Sequence, residues 1–448
     1  MVSDLQPRQA IDSFLSRLRT KQTLCVGVSG GSDSTALLHL LHDRLHNCGS
    51  PKLVAVTVDH GLRASSALEI DKVAEFCKGL GIKHRVMRWT GEKPGSGVQE
   101  AARHARYTLL REAALAEGTD AVLSAHTRDD QIETIRMRQR RGMGRGLSGM
   151  AEALLYHRDC WILRPLLAVR RAALRGLLSE AGVGWIDDPS NSDRRFERVR
   201  IRMEKTDPTA DAELLSTIEA MTAARRSDDA RLARFLQDNV VIHGDMIAEL
   251  PQVPEGLSDI LQQALALLAA LMGGRAYLPG SRGLDHIARF VAGSGPPRVN
   301  LSRCVLDRRA QRIFVYRERR SVPTIRIAAG QEAVWDGRYR LANQKRRQTV
   351  EIGPMEEASE VLVKKLQEYL PRGVVSRAMR SQPALIERSK REKAANRLEI
   401  RDSTGIVVSR YFTHFDQFLP EFDLKVADQC AVLFGLPAYP LPPVRMRG

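Results

Sequence analysis

From Leu24 to about Trp185 the chain alternates apolar, β-rich runs with stretches of helical periodicity. Successive strands can lie parallel in one sheet only if the segment between them crosses a face of that sheet, and a helix is the usual crossing. The alternation therefore predicts an α/β fold, a parallel sheet covered on both faces. Residues 24–29, 53–59, 83–89 and 121–125 read as strands; 34–47, 66–79, 98–116 and 129–141 read as helices. Sheets of this kind bind ligands at the carboxyl ends of their strands. Three polar clusters, SGGSDS, DHGLR and AHTRDD, each follow a predicted strand directly, so they are expected on one edge.

The first cluster joins a strand to a helix through two glycines. In that arrangement backbone N–H groups and a helix N-terminus converge on phosphate oxygens, and Gly30 and Gly31 can adopt angles closed to other residues. Ser29, Ser32 and Ser34 add hydroxyl donors. The loop is not a Walker A, because no Lys follows the glycines, and not GxGxxG, because Ser29 stands where the second glycine belongs. Asp33 is the informative residue, since a bare carboxylate beside phosphates would repel them. It reads either as a ligand of a Mg²⁺ shared with a nucleotide or as a helix cap.

In AHTRDDQIET, Thr127 and Asp130 have the spacing of a capping box, and Asp130 and Glu133 project together from the first helical turn. Two carboxylates facing one pocket can bind Mg²⁺ or an ammonium group; helix-dipole compensation is the alternative reading. Asp59 and the pair Arg103 and Arg106 are candidates of the same edge, with a turn former and a solvated face as the plain alternatives. Five arginines (Arg136, Arg138, Arg140, Arg141, Arg145) run into Gly142, Gly144, Gly146 and Gly149, a composition expected of a mobile flap over nucleic acid or of a solvated linker.

SGGSDS resembles the PP-loop signature SGGxDS of the ATP pyrophosphatase superfamily, enzymes that cleave ATP between its α- and β-phosphates and activate a substrate oxygen as an adenylate. The ordered run VDHGLR, AARHARY, HTRDDQIET, RGMGRGLSGM, RPLL, DPSN and FERVRIR is similar to the tRNA(Ile)-lysidine synthase family over roughly the first 200 residues. LPRGVVSRAM at 370–379 is a looser match. Thr127 stands where the family usually has a second His, and Val199 where it has Asn. The resemblance implies an adenine nucleotide hydrolase-like PP-loop domain. It also implies ATP-dependent ligation of L-lysine to C2 of the wobble cytidine of a tRNA(Ile) with a CAU anticodon, through an adenylated cytidine, releasing AMP and pyrophosphate. It assigns Ser29, Gly30, Gly31, Ser32, Asp33 and Ser34 to ATP and Asp33 and Asp130 to Mg²⁺. Asp33, Asp130, Glu133 and Arg198 become the catalytic candidates, with Arg202 as a phosphate or RNA contact and Asp129 able to assist. A PP-loop tRNA thiolase and an inactive tRNA-binding module are the rival readings.

Past residue 188 the pattern changes to Arg-rich helices, then to short β-like runs after GSGPPR. The expected division is 1–209, a PP-loop catalytic domain; 210–322, a helical tRNA-binding domain; and 323–448, an α+β tRNA-binding domain. The 69 Lys and Arg outnumber 53 Asp and Glu, for a formal charge of +16 that favours polyanions. Six cysteines lie singly with no CxxC pair, which fits a reducing cytoplasm and speaks against the iron–sulfur thiolases. No membrane partner is expected, and a homodimer is left open.

Overall fold

The computed structural model describes residues 5–20, 23–47, 49–61, 66–91, 93–140, 142, 145–187, 195, 197–204, 208–251, 258–345, 347–356, 364, 366–388, 395–399 and 405–446. The DPSN turn, Leu62, Arg63, Arg141, Gly144 and Phe196 lie outside them. The chain divides into two compact units. The first comprises Met1–Ser227 with Phe418–Asp423 and Pro440–Gly448, the second Asp228–Gln417 with Leu424–Tyr439.

The first unit follows the predicted α/β alternation. Its elements are α1 (Pro7–Arg17), β1 (Leu24–Gly27), α2 (Ser32–Leu45), β2 (Leu53–Asp59), α3 (Ser66–Gly79), β3 (Lys83–Arg88), α4 (Val98–Ala116), β4 (Ala121–Leu123) and α5 (Arg128–Arg140). There follow β5 (Ala153–Tyr156), β6 (Cys160–Leu163), α6 (Arg171–Glu180), α7 (Glu197–Met203) and α8 (Pro208–Asn239), whose last turns pass into the second unit. Strands β6, β4, β1, β2 and β3 lie side by side in that order and run parallel. The chain steps from β1 to β2 and β3 on one side and to β4 and β6 on the other. The reversal between β1 and β4 opens a crevice at their carboxyl ends.

Alternation along the strands explains why both faces are covered. Cys25, Val54, Val56, Val122 and Ile162 join Tyr107, Leu110, Ala113 and Ala114 of α4 in one apolar cluster. Their neighbours Leu24, Val26, Ala55, Leu123, Trp161 and Leu163 are equally buried and must point to the opposite face. Beyond β6 the sheet turns antiparallel: β5 pairs with β6, and the short strand Phe418–Pro420 pairs with β5. That last strand comes from far downstream, a pairing no local pattern announces.

In the second unit, strands Val241–His243, Ile247–Pro251, Arg312–Arg317, Cys304–Arg309 and Arg298–Leu301 form a five-stranded antiparallel sheet. An apolar helix of this unit spans Ser258–Met272, with Ala264 through Met272 all buried. Four- and three-stranded sheets occupy the later part. No helix among the described residues is long and apolar enough to cross a membrane.

Candidate active site

The loop after β1 is curled by its own hydroxyls. The Ser29 N–H donates to Ser34 Oγ at 3.1 Å, Ser34 Oγ donates to the Gly31 carbonyl at 3.0 Å, and Thr35 Oγ1 to the Gly30 carbonyl at 3.2 Å. Gly30 has φ +82°, a conformation that demands glycine, and a Cβ there would lie 2.6 Å from Ile186 Cδ1, so that side chain would have to shift. The Ile186 N–H donates to the Gly30 carbonyl at 2.9 Å, fixing that close approach. Gly31 is the N-cap of α2 and makes no side-chain cap bond, so no side chain of the cap occupies the first-turn N–H groups.

Asp33 is therefore the second residue of α2 and not its cap. Its Oδ1 accepts from Ser32 Oγ at 3.2 Å and its Oδ2 from Arg171 Nε at 2.9 Å. Burial pushes its carboxyl above the ordinary aspartate value, against the pull of Arg171.

Strand β4 is the direct neighbour of β1, with Cys25 opposite Val122, so the loop after β4 opens beside the glycine loop. The predicted capping box is present there: the Thr127 N–H and Oγ1 both donate to Asp130 Oδ2 at 2.8 Å, and the Asp130 N–H points back to Thr127 Oγ1 at 3.4 Å. Burial works to raise the Asp130 carboxyl. Arg171, the Thr127 amide and Arg198 favour the ionised form, and the carboxyl lies below the usual range. Burial in turn keeps the His126 ring neutral, far below the ordinary imidazole value. Glu133 is 4% exposed and accepts from Arg202 Nε at 2.7 Å and Nη2 at 3.2 Å, with Arg198 Nε at 3.4 Å. Arg198 and Arg202 come from α7, where Val199 is buried and apolar in place of the family Asn.

One side chain ties these acids together. Arg171, the first residue of α6, meets Asp33 at 2.9 Å, Asp130 at 3.3 Å and Glu133 at 3.5 Å. Its backbone N–H donates to Asp129 Oδ2 at 2.8 Å, so Asp129 serves the start of α6. The sequence reading missed Arg171. The available signal was electrostatic: a basic residue opening a helix opposes the helix dipole and invites the question of what compensates it. Arg175, one turn on, reaches Ser32 Oγ at 3.3 Å.

The remaining candidates are used locally. The Gly61 N–H donates to Asp59 Oδ1 at 2.8 Å, the turn-forming role, and Arg103 lies over the Tyr107 ring at 5.0 Å. In the arginine- and glycine-rich stretch, Arg136 pairs with Asp211 at 2.6 Å, Arg140 with Glu204 at 2.6 Å, and Arg138 donates to the Gly149 carbonyl. Gln131 clamps both the amide and the carbonyl of Met150, so the far end of that stretch is pinned.

Chemically the crevice offers a phosphate-shaped loop and, beside it, three carboxylates converging on one cation. Comparison with known proteins gives the same direction. Residues 4–207 match the family model of the PP-loop domain. The whole chain is 36% identical to the tRNA(Ile)-lysidine synthase of Rhizobium meliloti (strain 1021), over 98% of each chain. It is 38% identical to that of Mesorhizobium japonicum, over 92% of this chain and 93% of the relative. To that of Brucella canis it is 36% identical, over 92% and 95%.

Proposed function

The chain belongs to the tRNA(Ile)-lysidine synthase family, and from that premise we propose that it ligates L-lysine to the wobble cytidine of tRNA(Ile) at the expense of ATP. In the first step the C2 oxygen of cytidine attacks the α-phosphorus of ATP, the bond to the β-phosphate oxygen breaks, and pyrophosphate leaves. In the second the ε-amine of lysine attacks C2, its proton is lost, and the C2–O bond breaks to release AMP. A carbonyl-type oxygen is a poor leaving group until AMP is attached, and the amine must be deprotonated to act.

The observation that carries the site assignment is the meeting of Asp33, Asp130 and Glu133 at Arg171, beside the serine–glycine loop. We assign residues 29–34 to the ATP phosphates, held by the loop and the α2 N-terminus. Asp33 and Asp130 present one oxygen each toward a single cation, a hard-oxygen donor set that fits Mg²⁺, which commonly binds one or two carboxylates plus phosphates. Bound there, Mg²⁺ would neutralise charge building on the departing pyrophosphate. Glu133 and Asp130 attract the ammonium of lysine, and Arg198, whose 38% exposure supports the role, meets phosphate. The basic residues beyond 210 hold the tRNA body through its backbone, so affinity falls steeply with salt.

The test is to incubate the protein with ATP, L-lysine and unmodified tRNA(Ile), then digest and analyse nucleosides by mass. Conversion of one cytidine to its lysine adduct is the expected result. No mass change, or a sulfur-containing nucleoside, refutes the reading.

A further inference from the structure

The two aspartates each commit one oxygen to their own helix start. Asp33 Oδ1 is taken by Ser32 Oγ, and Asp130 Oδ2 by the amide and hydroxyl of Thr127. The other two oxygens, Asp33 Oδ2 and Asp130 Oδ1, both face the guanidinium of Arg171 at 2.9 and 3.3 Å. A metal taking that pair of oxygens would compete for them with the guanidinium edge that carries Nε and Nη2. Two cations on one pair of oxygens repel each other.

The geometry points to Arg171 as an internal counter-cation that keeps the place of a bridging metal and must be displaced for the metal to enter. This rests on the proposed assignment of Asp33 and Asp130 to that metal. The surroundings suit an exchange. The Arg171 backbone is pinned by Asp129, so only the side chain has to move, and its 18% exposure gives it a way out. Glu133 keeps Arg202 and Arg198 when Arg171 departs, so the carboxylates left uncovered are the two the metal takes over. A competing guanidinium also makes the nucleotide-free site a poor metal binder, and tight binding waits for the additional oxygens of a polyphosphate.

The experiment measures Mn²⁺ binding by electron paramagnetic resonance on the full-length protein without ATP or tRNA, so its readout is independent of turnover. Arg171→Met removes the competitor, and a folded variant is expected to bind Mn²⁺ about tenfold tighter than the unsubstituted protein. Unchanged or weaker binding overturns the proposal. Should Arg171→Met fail to fold, Arg171→Lys serves: an ammonium cannot span three carboxylates, so binding about threefold tighter is expected. Affinity equal to that of the unsubstituted protein again overturns it. Asp33→Asn in the Arg171→Met background separates the two readings. Loss of the tightened binding supports both, whereas undiminished binding there removes Asp33 from the metal site whatever Arg171 does.

Discussion

Two arginine–aspartate clusters, one in each unit, use the same chemistry to opposite ends. In the second unit Asp336 accepts Arg317 Nε and Nη2 at 2.9 Å each and Arg338 Nε at 2.7 Å, and all three side chains are 0% exposed. The remaining Arg317 nitrogen is consumed by the carbonyls of Arg303 and Arg320. That cluster is shut away from solvent: its charges face each other and the backbone. The Arg171 cluster has the inverse arrangement, one guanidinium shared by three acids with Arg198 and Arg202 on Glu133 besides, and stays open, with Asp33 19% exposed. A buried pair sealed on every side specifies structure. A half-open one in which each acid leaves an oxygen on a replaceable partner can exchange that partner for a ligand.

The largest effect should come from the open cluster. Asp130→Asn keeps the size of the side chain and loses its charge, so lysine adduct formation is expected to fall about a thousandfold. Its unfolding free energy should change by only about 1 kcal/mol. Both are read on one preparation, by nucleoside mass and urea denaturation. Full activity in this variant would remove Asp130 from the chemistry.

The closed cluster should answer in reverse. Asp336→Ala leaves two buried guanidiniums uncompensated, a loss of about 3–5 kcal/mol. Urea unfolding followed through the buried Trp335 measures it. The fraction that remains folded should form the adduct at the normal rate. A loss below about 1 kcal/mol would mean that the cluster is not structural in the sense argued.

What the sequence made legible follows the same line between local and distant causes. β2, α3 and α4 coincide with the predicted ranges, and the strand–glycine–helix loop with its acids was readable from local pattern. The capping box was readable too, because Thr127 and Asp130 are three residues apart on one turn. Arg171 was not, since it sits 138 residues from Asp33 and opens a helix that looks ordinary by periodicity. The Phe418–Pro420 strand is three residues long, too short to carry a period of two, and its place is fixed by distant partners, β5 and the rings of His104 and Tyr107. The close approach of Ile186 to Gly30 is likewise invisible in SGGSDS itself.

Between the two clusters in size lies the loop that both acids serve. Gly30→Ala combines an unfavourable φ of +82° with a Cβ 2.6 Å from Ile186 Cδ1. The strain, about 1–3 kcal/mol, should appear mainly as a raised KM for ATP. Adding Ile186→Ala should relieve the steric part and leave the conformational part. If the double variant is no better than the single one, backbone angle alone dictates the glycine.

The smallest expected effect tests how Asp130 is kept ionised. Thr127→Val deletes the hydroxyl donor to Asp130 Oδ2 and keeps the amide donor at 2.8 Å. A donor to the ionised form lowers a carboxyl pKa, so its removal raises it. The carboxyl lies below its ordinary value in the folded protein, so the stability it contributes is present above the unfolded pKa and lost as pH falls through the folded one. The valine variant should lose about 1 kcal/mol at neutral pH. The acid limb of its pH–rate profile should move to higher pH, while the neutral rate stays close to normal. An unmoved limb would show that Arg171, Arg198 and the amide suffice to hold the charge, and that Thr127 is a helix cap and nothing more.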